Sequence, residues 1–248
     1  MSNGDTMKIT TIEFPKFTGI RCLMMPYIQG DPDSVPDQYT PYRAIIAALA
    51  VERGEVGYLT IDESKAVAGS PHRGARAKHG RALHTEGGLR PGNIHAWGGG
   101  GGGHGWGDGK RVTLDRDTAV LLANSEDDTC ALWDAEHEDT TWDGDIGHLA
   151  HLYPYESATM MKRGEVYRIG ILTPHESLPV RRDTLRQFIR IVSNGVHGRE
   201  EYFTRNPLLP SINPDHRETA RASQPSLSRT SSRTTNERSI TMRRMRGC

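Results

Sequence analysis

Between Arg111 and Val192 the chain is a succession of short apolar or alternating runs, each closed by turn formers. RVTL, TAVLLANS, TCALWDA, GEVYRIGIL and RQFIRIV follow one another at short spacing. β-Branched and aromatic side chains suit a pleated, half-buried surface. Strands that recur this way point to a sandwich or a double-sheet barrel. The last run is informative in detail. In RQFIRIV, residues 186–192, period-two alternation puts Arg186, Phe188 and Arg190 on one face and Gln187, Ile189 and Ile191 on the other.

The rest of the chain is less uniform. Residues 7–29 are β-prone runs broken by Pro15, Gly19 and Pro26, and residues 30–41 read as loop. YRAIIAALAVER, residues 42–53, has apolar residues at helical spacing and predicts a helix ending at Gly54, with Thr40-Pro41 as its cap and first turn. EVGYLTI, residues 55–61, predicts a strand, and residues 64–81 a basic loop. A stretch at about 91–110 carries six consecutive glycines, residues 98–103, punctuated nearby by His95, Trp97, His104 and Trp106. Glycine loses the most backbone freedom on ordering, so this stretch reads as a flexible insertion without strands. Residues 211–248 are rich in Ser, Thr and Arg and poor in apolar residues. Such a segment buries too little surface to offset its ordering entropy, and predicts a disordered tail. The expected organisation is one domain, 1–210, with an N-terminal α/β extension over 1–80 and a core over 81–207.

Charge and cysteine usage exclude several classes. The formal net charge is zero, but the tail has eight Arg and no Lys against three acids, so it carries +5 and the body −5. An acidic body argues against nucleic-acid binding by that body, while the tail's arginines suit acidic partners or RNA. Cys22, Cys130 and Cys248 are widely spaced, giving neither a disulfide framework nor a zinc spacing. Cys130, in a strand-like run, reads as a core residue. The first residues lack a basic stretch followed by an apolar one, and no run approaches the eighteen apolar residues of a membrane helix. The expected setting is cytoplasmic, with no membrane partner.

Candidate chemistry lies in ALHTEGG and TPHES. On a strand His84 and Glu86 project from one face, supplying an imidazole and a carboxylate. His175, read as closing the strand GEVYRIGIL, is the natural third ligand. Two imidazoles and one carboxylate with positions left open suit non-haem Fe(II). The residue types are also compatible with histidines that only hydrogen-bond within their turns.

The layout resembles that of the Fe(II)/2-oxoglutarate-dependent oxygenases. KRGEVYRIGILTPHESLPV followed by LRQFIRIV is similar to their late core segment, and the likeness covers about 82–192. The resemblance implies a double-stranded β-helix, or jelly roll. It implies His84, Glu86 and His175 as iron ligands, with Glu standing where Asp is more usual. It implies Arg186 as the anchor of the far 2-oxoglutarate carboxylate, a role suited to its bidentate fork, with Arg190 as the fallback. The implied activity is dioxygenase hydroxylation of an unidentified substrate. His137 and Asp139 are an alternative first pair. They lie 38 residues before His175, against 91 for His84, and five strands and turns need about 40–60 residues. Spacing therefore favours His84. Two other classes fit the same residues: a non-enzymatic jelly roll for binding or assembly, and a cupin-type metal enzyme that does not use 2-oxoglutarate. Asn124 and Trp133 are further candidates for the mouth of the barrel.

Overall fold

A strand buried on both faces carries an unbroken apolar run, and the chain's most apolar strands are of this kind. The computed structural model describes residues 6–71, 81–90, 93–96, 112–113, 118–137, 144–193 and 204–210, all within one compact unit, Met1–His216. In chain order the elements are β1 (Met7–Thr11), β2 (Arg21–Ile28), α1 (Arg43–Ala48), β3 (Val56–Ala66), β4 (Leu83–His84), β5 (Gly87–Arg90), β6 (Asn93–Ala96), β7 (Val112–Thr113), β8 (Ala119–Asn124), β9 (Cys130–Leu132), β10 (Thr159–Met160), β11 (Glu165–Gly170), β12 (His175–Ser177) and β13 (Thr184–Val192). Short 3-10 turns join several of them.

The protein is mostly β. A large antiparallel sheet runs in the order β1-β11-β8-β13-β3-β2, and a smaller one in the order β10-β9-β12-β4. The strands β5, β6 and β7 form a third, three-stranded sheet. Cys130 and Leu132 of the smaller sheet share one buried cluster with Leu122, Ile169, Phe188 and Val192 of the large one, so these two sheets pack face to face. On its other face the large sheet packs Leu121, Ile189 and Ile191 against Ile45 and Ile46 of α1 and Tyr39 and Tyr42 of the preceding turn. The smaller sheet has its own outer cluster, Leu83, Ala131, Trp133, Ile146 and Tyr153.

In β13, Phe188 and Val192 face the other sheet, and Ile189 and Ile191 face α1. Arg186 and Arg190 are therefore turned inward between the sheets, and both are buried. β2 reaches the same two layers by a different device. Cys22 pairs with Ile61 and Met25 with Leu59, so one extra residue is inserted. This bulge, with Met24 at φ 47°, lets Cys22, Met25 and Tyr27 all join the helix-side cluster while Met24 turns into the inter-sheet core. The outer edge of β2 is covered. Thr204 N–H donates to the Leu23 carbonyl, Leu23 N–H to Thr204 Oγ1, and Asn206 Nδ2 to the Pro26 carbonyl.

Several expectations are corrected. The helix stops at Ala48, not at Gly54, because Leu49 is extended. The following residues bind back to the end of β2: Gln29 Oε1 accepts from Val51 N–H and Glu52 N–H at 2.9 and 3.2 Å. Thr40 does not cap the helix; a 3-10 turn, Asp37–Tyr42, runs directly into it. β3 extends to Ala66, into the predicted basic loop. β1, β2 and β3 are strands of the large sheet, so residues 7–66 are integral to it and not an appended extension. Asn93–Ala96, expected to hold no strand, pairs with Gly87–Arg90 as a hairpin; the glycine run begins only after it. Residues 98–103, Trp97, His104, Trp106, Asp139 and the tail 211–248 lie outside the described residues, as does the His95 side chain. Among the described residues no helix is long and apolar enough to cross a membrane.

Candidate metal centre

β4 has two residues, so its position depends on what flanks it. On one side His84 pairs with His175 and Leu83 with Glu176 of β12. On the other, His84 bridges to Asp145, with Ile146 N–H donating to the Leu83 carbonyl and Thr85 N–H to the Gly144 carbonyl. On the outer face of the smaller sheet, Arg81 donates from Nε and Nη2 to Glu176 Oε2 at 2.9 and 2.6 Å. This ion pair ties the segment before His84 to the residue after His175. Arg81 also donates to the Ala150 and Tyr153 carbonyls and lies over the Tyr155 ring, 4.2 Å from its centroid.

His175 does not close the strand GEVYRIGIL. β11 ends at Gly170, Thr173 N–H donates to the Gly170 carbonyl, and the chain crosses to the other sheet before His175 opens β12. The crossing sets His175 directly opposite His84. The two ring centroids are 4.0 Å apart. Each Nδ1 faces a backbone carbonyl two residues earlier, Ala82 for His84 at 2.7 Å and Thr173 for His175 at 2.9 Å. A carbonyl only accepts, so each Nδ1 carries a proton, and Nε2 is the ring atom left to face a ligand. Glu86 lies two residues beyond His84, buried, with Oε1 3.5 Å from His175 Nε2.

Donor atoms of His84, Glu86 and His175 lie within 4.8 Å of one another, and this group could hold a metal ion. Among the described residues it is the one such group of three. Its chemistry suits a metal cation. Both imidazoles are held with Nε2 as the ring atom left to a ligand, the orientation that second-shell carbonyls give in metal sites. Burial opposes ionisation of Glu86, but Arg190 beside it, with His175 and His84, outweighs burial and holds its carboxyl well below the usual carboxylate range.

The two arginines of β13 have different surroundings. Arg190 Nη1 donates to Glu86 Oε1 at 2.9 Å and Oε2 at 3.1 Å, and Nη2 contacts Met24 Sδ at 2.9 Å. Arg186 Nη2 donates to Asn124 Oδ1 at 2.5 Å and to the Thr129 carbonyl at 3.4 Å, both neutral acceptors. Among the described residues its buried Nε and Nη1 have no hydrogen-bond partner. Burial pulls the Arg186 pKa down to about 10. A buried guanidinium with two unmet donors and no carboxylate in hydrogen-bond contact is a ready receptor for an anion.

The other candidates are placed elsewhere. His137 lies away from the group of three: Nδ1 is 2.6 Å from Tyr153 Oη and its ring packs edge-on against Tyr153. Trp133 belongs to the outer cluster of the smaller sheet and donates from Nε1 to the Pro154 carbonyl, so it does not line the space between sheets. Asn124 does face that space, through Arg186. Cys130 is a core residue. The sequence reading missed the Glu86–Arg190 and Arg81–Glu176 pairs, and no local pattern announces partners about a hundred residues apart. No protein-family model matches the chain, and neither a curated protein nor a solved structure matches it.

Proposed function

We propose that the chain is a jelly-roll oxygenase that uses Fe(II) and 2-oxoglutarate to hydroxylate a substrate not yet identified. The strand order supports the jelly roll. Along the chain β3, β4, β8, β9, β10, β11, β12 and β13 alternate between the two packed sheets, except at the β9–β10 step. The resulting orders, β11-β8-β13-β3 and β10-β9-β12-β4, are those of two interleaved Greek keys. β5, β6 and β7 then form an insertion between the second and third strands of the roll.

The single observation that carries the functional reading is one inter-sheet layer holding both a two-imidazole, one-carboxylate group and a guanidinium with unmet donors. His84 and His175 would offer Nε2 and Glu86 one negative charge, a three-ligand set that would leave positions open for exogenous ligands. When bound, Fe(II) and 2-oxoglutarate supply oxygen activation coupled to decarboxylation of the co-substrate. Arg186 would anchor the far carboxylate of the co-substrate through Nε and Nη1, the two donors without a partner among the described residues. Phe188, Leu122 and Leu132 wall the layer with apolar surface, which excludes water and strengthens charge interactions inside it. The Thr173 and Ala82 carbonyls keep both imidazoles oriented.

Anaerobic titration of the full chain with Fe(II) and 2-oxoglutarate tests the reading. The expected result is a visible charge-transfer band that is lost in His175→Ala. A missing band in the wild type, or an undiminished one in the variant, refutes it. Retention of metal binding with no effect of Arg186→Ala on turnover identifies a cupin-type enzyme instead. One observation favours a binding or assembly role without metal: Arg190 already neutralises Glu86. That role predicts no change in melting temperature on adding Fe(II).

A further inference from the structure

Glu86 has two claimants. From the smaller sheet each of the two histidines brings a ring nitrogen within 4.8 Å of a carboxylate oxygen, His175 Nε2 at 3.5 Å. From the large sheet Arg190, 1% exposed, brings Nη1 to both carboxylate oxygens. The arginine is presented by β13, which is paired along both edges, through nine residues with β3 and five with β8. Its position is therefore set by the sheet and not by the ligand group. Met24, turned inward by the bulge in β2, meets the other terminal nitrogen with a neutral thioether.

We propose that Arg190 is a built-in counter-ion that occupies Glu86 in place of a divalent cation. It allows the metal-free chain to fold around a buried carboxylate, and it loosens the hold of the loaded chain on its ion. The inference rests on the metal reading above. A carboxylate buried between two sheets is strongly unfavourable without a partner, and in the metal-free chain Arg190 is the cation at hydrogen-bond distance. When an ion binds, the same cation remains nearby. The ligand group then has a net charge of zero with Arg190 included, where two neutral imidazoles and one carboxylate alone would carry −1. Attraction for a divalent ion falls accordingly. Arg190 holds both carboxylate oxygens, so an ion bound there would share Glu86 with it.

The experiment compares the wild type, Arg190→Met and Arg190→Lys as full chains, with Co(II) as the probe. Melting temperature is read in chelator and in saturating Co(II), and the Co(II) dissociation constant by calorimetry. In Arg190→Met the expected results are a melting temperature several degrees below wild type in chelator, closure of that gap by Co(II), and roughly tenfold tighter Co(II) binding. Arg190→Lys keeps the charge and stays weaker than Arg190→Met. A purely structural ion pair would lower stability in both conditions and give no gain in affinity. Arg190→Met that binds Co(II) no tighter than wild type, or stays unfolded at saturating Co(II), overturns the proposal while the metal reading stands. A wild type that takes up no Co(II), or takes it up undiminished in His175→Ala, overturns both.

Discussion

Replacing Arg186 by Met should leave the metal-free protein nearly as stable as before, an unusual outcome for a buried arginine. The loss side has two parts. Nη2 gives up its hydrogen bond to Asn124 Oδ1 and a long one to the Thr129 carbonyl; a bond from a charged donor contributes about 1.5–3 kcal/mol. Asn124 Oδ1 then loses its donor in a buried place, at about 1–3 kcal/mol. The gain side is of similar size. Two buried N–H groups without partners disappear, each worth about 1–3 kcal/mol. That penalty is how the desolvation of a charge with no carboxylate in hydrogen-bond contact shows itself, and it is counted once. Methionine keeps an unbranched apolar stem in the same space. The terms offset to within about 1 kcal/mol of zero, whereas breaking a buried ion pair costs about 3–5 kcal/mol. Urea unfolding followed by circular dichroism in chelator measures the difference. With metal present, 2-oxoglutarate at a hundred times its dissociation constant adds about 2.7 kcal/mol to the wild type and nothing to the variant. A loss of about 3 kcal/mol or more in chelator would mean that Arg186 is a structural residue, and equal stabilisation by 2-oxoglutarate would remove it from the ligand site.

Glu63→Gln should destabilise by about 2–4 kcal/mol in the same assay, because the carboxylate accepts from the Thr18, Gly19 and Ile20 N–H groups, Tyr42 Oη and Gln187 Nε2, and an amide sets a donor against donors. Burial opposes ionisation of Glu63, but these hydrogen bonds hold its carboxyl below the ordinary value. Its contribution is therefore complete above the unfolded carboxylate range and is lost as pH falls through the lower folded value. The variant's stability should be flatter than wild type across that acid limb, and parallel curves would refute the assignment. Gly57→Ala should cost about 1–3 kcal/mol by differential scanning calorimetry, since a Cβ there would sit 2.6 Å from Gln29 Cγ and would displace the side chain that receives Val51 and Glu52; an unchanged melting temperature would show that Gln29 yields freely.

What could be read in the sequence was what local chemistry encodes. β13 was legible because alternation is a local property, and its inward arginines followed from the same parity. The convergence of His84, Glu86 and His175 was legible through spacing: enough chain lies between them to return to the same face. The two-residue β4 and three-residue β12 were not legible as separate strands, since strands so short have no period and are defined by their neighbours. The helix was overread for a related reason. Its apolar spacing continues past Ala48, but Gln29 competes for the backbone N–H groups that would have continued it. The division of labour between Arg186 and Arg190 was hidden because both sit on one face of one strand. Only the partners, Asn124 for one and Glu86 for the other, tell them apart.

The short segment lying along β2 has a consequence for how copies of this protein can meet. By engaging the main-chain groups of Leu23 and the carbonyl of Pro26, it acts as a stopper on one margin of the large sheet. Among the described strands the opposite margin, β1, pairs only with β11 and displays Met7 and Ile9 to solvent. Any fibre-like or dimeric extension of that sheet by strand addition is thereby steered to a single side.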